Sequence, residues 1–285
     1  MSNLKEIRNR ISSVSSTMQI TSAMKMVSAA KLKKAQDAIT AMRPYADKLT
    51  ELLQNLSATL DADSGSKFAD QREVKNVLIV AITSNRGLCG AFNSNIIKQA
   101  NYLANSYAEK KVSVVAIGKK ANDALSKDYE ILANESTVFD DLTFDNVAQI
   151  ADLLMEKFED GSIDKIELVY NKFKNAATQI VTTEQFLPIV SSAEGANANQ
   201  DYIFEPSKVE IVETLIPKSL KTQLFKAIRD SFASEHGARM TAMHKATENA
   251  TELRDQLKLT YNKARQAAIT NEILEIVGGA EALNN

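Results

Sequence analysis

Residues 4–42 read "LKEIRNRISSVSSTMQITSAMKMVSAAKLKKAQDAITAM". A heptad seam can be laid through Leu4, Ile7, Ile11, Val14, Met18, Thr21, Lys25, Ser28, Leu32, Ala35, Ile39 and Met42, and on through Ala46, Leu49, Leu53, Leu56 and Leu60. Fourteen of those seventeen positions are apolar, which is the period of a coiled coil. The three exceptions are consecutive: Thr21, Lys25 and Ser28. Over that stretch the apolar residues move to Ala23, Met24, Met26 and Val27, so the expectation is that the local face turns away from the partner helix. Pro44 inside the pattern bends the helix or costs it a hydrogen bond.

A seam of this length needs a second helix, and the other end of the chain supplies one. From residue 218 to 278 there is no Pro, and Gly237 is the only glycine before Gly278 and Gly279. Sixty helical residues make a rod of roughly 90 Å, and a lone helix of that length is not stable in water. Pro217 is expected to break off a short first segment opened by a capping box at Ser207 and Glu210. The Gly278–Gly279 pair is expected to stop the helix. Both helices leave the same middle region, which favours an antiparallel pair with Ile11 or Val14 near residues 260–274. The end, "ITNEILEIVGGAEALNN" (269–285), carries Ile269, Ile273, Leu274, Ile276, Val277 and Leu283. Terminal turns are ordinarily polar. Either this end folds back on its own domain or something outside the chain covers it.

The middle alternates. Strands are expected over 74–82, 112–117, near Ile131, over 164–173 and over 177–190, the last two joined by a tight turn. Helices are expected over 92–107 and 143–160, with a short one after the second strand. The pattern is that of an α/β sheet with short crossovers. Residues 61–73 and 191–200 read as polar connections. The fold class is therefore α/β: a long antiparallel coiled coil of the terminal helices plus a central Rossmann-like domain. The expected domains are 1–60, 74–190 and 207–285.

Composition narrows the function. The chain has 285 residues, 44% hydrophobic and 25% charged, with no Trp, four Pro and nine Gly. No run approaches the ~18 apolar residues of a membrane span. The start lacks the pattern of a secretory signal or an organelle leader. Cys89 is the single cysteine, so no internal disulfide forms and a reducing compartment is the simple reading. The net charge of −2 is unevenly spread. Residues 1–60 hold nine Lys/Arg against four Asp/Glu, and 213–285 hold ten against nine, which leaves −8 for 61–212. A basic front end suits an acidic partner, either nucleic acid or an acidic protein surface.

Chemistry-bearing motifs are sparse. "TSNRGLCGAFN" (83–93) follows the first strand and could cradle a phosphate, but it fits neither GxGxxG nor GxxxxGK[ST]. Gly87 and Gly90 read as a structural turn, and Cys89 as a small buried hydrophobe. His236 and His244 sit in a helical stretch without the ligand spacing of a metal site. No catalytic residue, cofactor or metal is expected. The residues alone leave open a nucleotide-binding enzyme centred near Arg86 and Cys89, and a coiled-coil scaffold or nucleic-acid clamp.

Three stretches resolve this. "IRNRISSVSSTMQITSAMKMVSAAKLKKAQ" (7–36), "SNRGLCGAFN" (84–93) and "ARMTAMHKATENATELRDQLKLTYNKARQAAITNEILEIVGGAEAL" (238–283) together resemble the γ subunits of F-type ATP synthases, with "YIFEP" (202–206) in support. The resemblance implies a non-catalytic central rotor shaft whose coiled coil runs up a head of α and β subunits. Its α/β domain would dock on ε and the ring of c subunits, with no nucleic acid among its partners. It further implies partner contacts at Met24 and Lys25, beside an acidic β segment, and at Arg239, Gln266, Thr270 and Glu272. One cysteine is too few for the thiol switch of chloroplast members. The resemblance therefore implies a bacterial protein on the cytoplasmic side of the inner membrane, held there only through its complex.

Overall fold

The computed structural model describes residues 4–57, 67–69, 71–189 and 208–283. The capping box at Ser207, the "YIFEP" stretch and the 191–200 connection lie outside the described residues, as does most of the 61–73 connection. Ten regular elements are present: α1 (Leu4–Ser57), β1 (Asn76–Ile82), α2 (Phe92–Ser106), β2 (Lys111–Ile117), α3 (Lys119–Leu125), β3 (Glu130–Asn134), α4 (Phe144–Glu159), β4 (Lys165–Phe173), β5 (Gln179–Leu187) and α5 (Lys208–Leu283). Two short 3-10 turns, Lys67–Ala69 and Ser136–Phe139, carried no periodic signal. By its contacts the chain divides into two units. One takes residues up to Ser28 and from Met240 onward; the other is Ala29–Arg239.

The larger unit is built on a five-stranded sheet of order β3-β2-β1-β4-β5, parallel except for β5, which pairs antiparallel with β4. The central strand explains the order. Every residue of "VLIVAI" (77–82) is buried, as expected where helices cover both faces of a parallel sheet. Its alternate side chains feed two cores. Val77, Ile79 and Ala81 meet Ile96, Ala100 and Ala104 of α2 and Ala121 and Leu125 of α3. Leu78, Val80 and Ile82 meet Val147, Ala151, Leu154 and Phe158 of α4. That second core also takes in Leu220, Leu224, Ala227 and Ile228 of α5. The first part of α5 is thus a covering helix of the sheet. It is pinned by Gln223, which donates to Glu184 (2.6 Å), and by Lys221, paired with Asp152 at 2.8 Å. Tyr170 donates to the same Glu184 at 2.8 Å. Leu32, Ala35, Ile39, Ala46 and Leu49 of α1 are buried in this unit, where the Lys218 ammonium lies 5.9 Å from the Tyr45 ring.

The smaller unit is the antiparallel helix pair. Lys25 meets His244, Thr21 meets Thr247, and Met18 meets Arg254, so numbers fall on α1 as they rise on α5. Val14 shares a groove with Leu253 and Leu257, the latter within a few residues of the expected 260–274 stretch. The seam also stays where its period put it. Thr21 and Ser28 are buried, whereas Met26 and Val27 are 65% and 57% exposed. The expectation that the face turns at 21–28 is therefore corrected. The Thr21 hydroxyl fits the seam because it finds hydrogen-bond partners there, the Met18 carbonyl and the Thr247 hydroxyl.

Two helix boundaries also differ from expectation. Pro217 does not break α5, which runs through it. A proline costs a helix one backbone bond and some crowding, and here the residues on its C-terminal side are held in the sheet core. The helix also continues past Gly278 and Gly279 to Leu283. Neither glycine takes a positive φ, so no left-handed cap forms.

Gly237 behaves differently from that terminal pair. A Cβ on it would stand 3.1 Å from the Ala176 carbonyl oxygen in the β4–β5 hairpin, whereas Gly278 and Gly279 face open space. Alanine gains about 1 kcal/mol over glycine in a helix, but crowding against backbone costs about 1–3 kcal/mol. Gly237→Ala should lower the stability of the larger unit by about 1 kcal/mol, measured by thermal unfolding. Gly278→Ala should instead raise amide-exchange protection over the last turns of α5.

Candidate functional site

The turn after β1 is where an α/β sheet would hold a ligand. The two neighbours of β1 are β2 and β4, so the crevice beyond the C-terminal ends of β1 and β4 is the topological switch point. The turn is tightly organised. The Ser84 amide donates to Asn93 Oδ1 at 2.9 Å, and Asn93 Nδ2 donates to Ser84 Oγ at 2.8 Å and to Cys89 Sγ at 3.2 Å. Asn85 ties the turn sideways, accepting from the Lys119 amide and donating to the Ser136 carbonyl. Leu88 (φ 62°) and Gly90 (φ 60°) supply the left-handed residues that reverse the chain. Gly90 does so without strain, while Leu88 pays for it and is 65% exposed at the tip. Cys89 is 1% exposed, and burial pushes its thiol up from the ordinary value. A thiol held in that state is a poor nucleophile.

The crevice itself is filled by α5. Ser234 donates to the Asn171 carbonyl at the end of β4 (3.0 Å). Gly237 lies against Ala176. Arg239, 8% exposed, pairs with Glu235 one turn earlier and donates to the carbonyls of Arg86 (3.1 Å) and Gly87 (3.3 Å). The guanidinium fork thus latches the β1 turn to the helix, a task its planar geometry suits and a lysine could not copy. Burial raises the Glu235 carboxyl above its usual value, opposed by Arg239. His236, 5% exposed, packs edge-on against Phe232 with ring centroids 4.5 Å apart. Its ring nitrogens have no hydrogen-bond partner among the described residues. Burial first, then the positive charges of Arg239 and Lys31, push its pKa down to about 4, so the imidazole is neutral.

The residues singled out from sequence do not gather at one place. Gly87 and Gly90 lie in the latched turn, beside Arg239. Met24 and Lys25 are half-buried on α1 in the helix pair, and Lys25 bonds His244 at 3.1 Å. Gln266, Thr270 and Glu272 stand on the end of α5, where every described residue from 265 to 280 is exposed. The Thr270 hydroxyl donates to its own helix at Gln266. Gln266 and Thr270 share one side of the helix, about 40° apart, and Glu272 stands about 200° around from Thr270, so the three address two sides. Between them Ile269, Ile273, Leu274, Ile276 and Val277 are 44–70% exposed. Glu235 carries no signal of its own in the sequence, and His236 stands out there only as a histidine without metal-ligand spacing. The Glu235–Arg239 spacing of four was readable as a helical ion pair, but its burial was not. Among the described residues no cluster of His, Cys, Asp or Glu could hold a metal, and no helix is long and apolar enough to cross a membrane.

Comparison with known proteins agrees along the whole chain. A family model described as ATP synthase matches residues 3–283. The ATP synthase gamma chain of Flavobacterium psychrophilum is 76% identical over 284 residues, covering 99% of each chain. A chain in the rotor of the Euglena gracilis mitochondrial ATP synthase is similar in structure, with TM-score 0.64 and 25% identity over 93% of this chain and 98% of that one. A chain in the OSCP/F1/c-ring assembly of the same synthase gives TM-score 0.69 at 25% identity, covering 98% and 94%.

Two outcomes test the latch. Arg239→Ala leaves the Glu235 carboxylate buried without its partner, a change that costs about 3–5 kcal/mol, and Arg239→Lys should recover only part of it. Unfolding in denaturant measures both. His236 gives a pH signature. Its folded pKa of about 4 lies below the unfolded value of 6.5, so between those values the unfolded chain binds more protons. Stability is complete above pH 6.5 and falls as pH drops toward 4, by about 3 kcal/mol in all. The raised Glu235 carboxyl acts with the opposite sign. The check is therefore the difference between the parent and His236→Gln, which should lose that slope.

Proposed function

Since the chain belongs to the ATP synthase family as one of its gamma chains, a central-stalk subunit of that complex, we propose that it is the non-catalytic shaft that carries torque between an ion-driven c-ring and the catalytic head. The observation that carries the non-catalytic part is the crevice at β1 and β4. Ser234, Gly237 and Arg239 of the chain's own helix take the place where a doubly wound sheet would hold a nucleotide. The α/β unit serves instead as a rigid flange on the helices, and its base docks on ε and the c-ring.

The contacts with α and β subunits fall at two levels. Gln266, Thr270 and Glu272 act as directional catches around the end of α5, while the apolar residues between them slide within an apolar collar. Hydrophobic contact has no preferred angle, and hydrogen bonds have a sharp one; a rotor needs both. Met24 and Lys25 face an acidic segment of a β subunit, with Lys31, Lys33 and Lys34 adding positive charge on the same helix. Arg239 acts at one remove: it presents the turn with the exposed Leu88 to the head. Support for a bacterial setting, on the cytoplasmic side of the inner membrane, comes from the flavobacterial relative. Attachment to the membrane is through the complex alone.

Truncation separates shaft from fold. Residues 266–280 are exposed, so removing them takes little buried surface from the helix pair. A chain ending at Gly279 should assemble and retain most ATP synthesis. A chain ending at Arg265 should keep the melting temperature of the parent yet lose synthesis and proton pumping several-fold. Loss of assembly on removing only Ala280–Asn285 would overturn the sliding-collar reading.

A further inference from the structure

The helix pair of the smaller unit has a polar layer where a coiled coil would ordinarily be apolar. Thr21 and Thr247 face each other across the seam with hydroxyl oxygens 2.8 Å apart. Each can also donate to its own helix, Thr21 to the Met18 carbonyl (3.1 Å) and Thr247 to that of Met243 (2.8 Å). With one proton per hydroxyl, one threonine donates across the seam while the other donates back along its own helix, so both stay satisfied. One turn away Lys25 Nζ donates to His244 Nδ1 at 3.1 Å, and His244 Nε2 lies 3.4 Å from Glu248 Oε1. An ammonium can only donate, so Nδ1 accepts and the Nε2–H points at Glu248.

Apart from Arg254, whose guanidinium donates to Met18 Sδ at 3.5 Å, the rest of the seam gives little registration. On α5 it runs through Met243, Thr247, Ala250, Arg254, Leu257, Tyr261 and Ala264, with Met243 and Ala250 buried and the others half-exposed. Small and flexible side chains such as these meet α1 about equally well after a slip along the axis, because apolar contact is non-directional. The hydroxyl pair does not. A slip of one heptad sets Thr21 against Met240 or Arg254. We propose that the Thr21–Thr247 pair, backed by Lys25–His244–Glu248, is a register lock: it fixes the axial alignment of α1 against α5, so that the two helices bear load as one body. Single polar pairs inside coiled coils select register at a cost in stability. The inference is independent of which proteins touch the shaft.

The test uses the full chain, with Cys89 replaced by Ser so that spin labels can be placed at Ser16→Cys and Glu252→Cys, both exposed positions. With the threonines present the distance distribution should be single and narrow. Thr21→Val with Thr247→Val should broaden it or add a population displaced by about one heptad, ~10 Å along the axis, with a melting temperature unchanged or higher. Thr21→Ser with Thr247→Ser keeps the hydroxyls and should stay narrow. A narrow, unshifted distribution in the valine pair, or a serine pair as broad as the valine pair, overturns the lock. If the valine pair fails to fold, the unaltered chain still decides. Nitrogen NMR of His244 should show the Nε2–H tautomer, and a predominant Nδ1–H tautomer overturns the proposal.

Discussion

A helix has no preference of its own for any environment; its stability comes from what its faces touch. That constraint governs this molecule through α5, whose 76 residues satisfy it differently along their length. Around Leu220–Ile228 the helix lies in the sheet core with α4. From Ser234 to Arg239 it meets the backbone of β4, the hairpin and the β1 turn. From Met243 to Ala264 its partner is α1. Beyond Arg265 every described residue to Ala280 is exposed. The composition follows these changes. Leu, Phe and Ile dominate over the sheet, and small or charged residues appear where backbone must be approached. Small, polar and single apolar residues alternate against the other helix.

The middle stretch is the least expected energetically. Burying Arg239 and Glu235 gives up the hydration of two charges, and such pairs seldom repay that in full. What they secure here is geometry, because the guanidinium joins the helix to two carbonyls of the β1 turn. His236 beside them accepts a similar cost. Two unpartnered ring nitrogens and a pKa driven to about 4 show a site arranged for packing against Phe232 rather than for proton chemistry. Stability is spent where α5 leaves the sheet, on holding the β1 turn in place.

How much of this could be read from the sequence depended on whether the signal was local. Strands such as "VLIVAI" announce themselves by continuous apolarity, and α4 by its period. The helix pair was readable because heptads persist through occasional polar residues. The exception is Thr21, since a hydroxyl at a seam position looks like a break until its partner across the seam, Thr247, is known. Pro217 and the Gly278–Gly279 pair read as boundaries on local propensity; packing overrides the first, and without a left-handed turn the second stays inside the helix. The candidate site was the least legible. Glu235 and Arg239 are an ordinary surface spacing in sequence, and only the long-range approach of the β1 turn makes them a latch.

The end of α5 turns the same reasoning outward. Ile269, Ile273 and Ile276 form one stripe, while Leu274 lies farther round the helix, and all four are largely exposed. A helix destined to pack on one neighbour concentrates its apolar residues on one face; here Val277 and Leu274 widen that face to about 160° of the circumference, and Glu272 and Glu275 hold the other side. Exposed apolar surface of that extent marks a contact still to be made. A collar of the kind proposed would cover that broad face at every angle of a turning shaft, which a groove on one side of the shaft could not do.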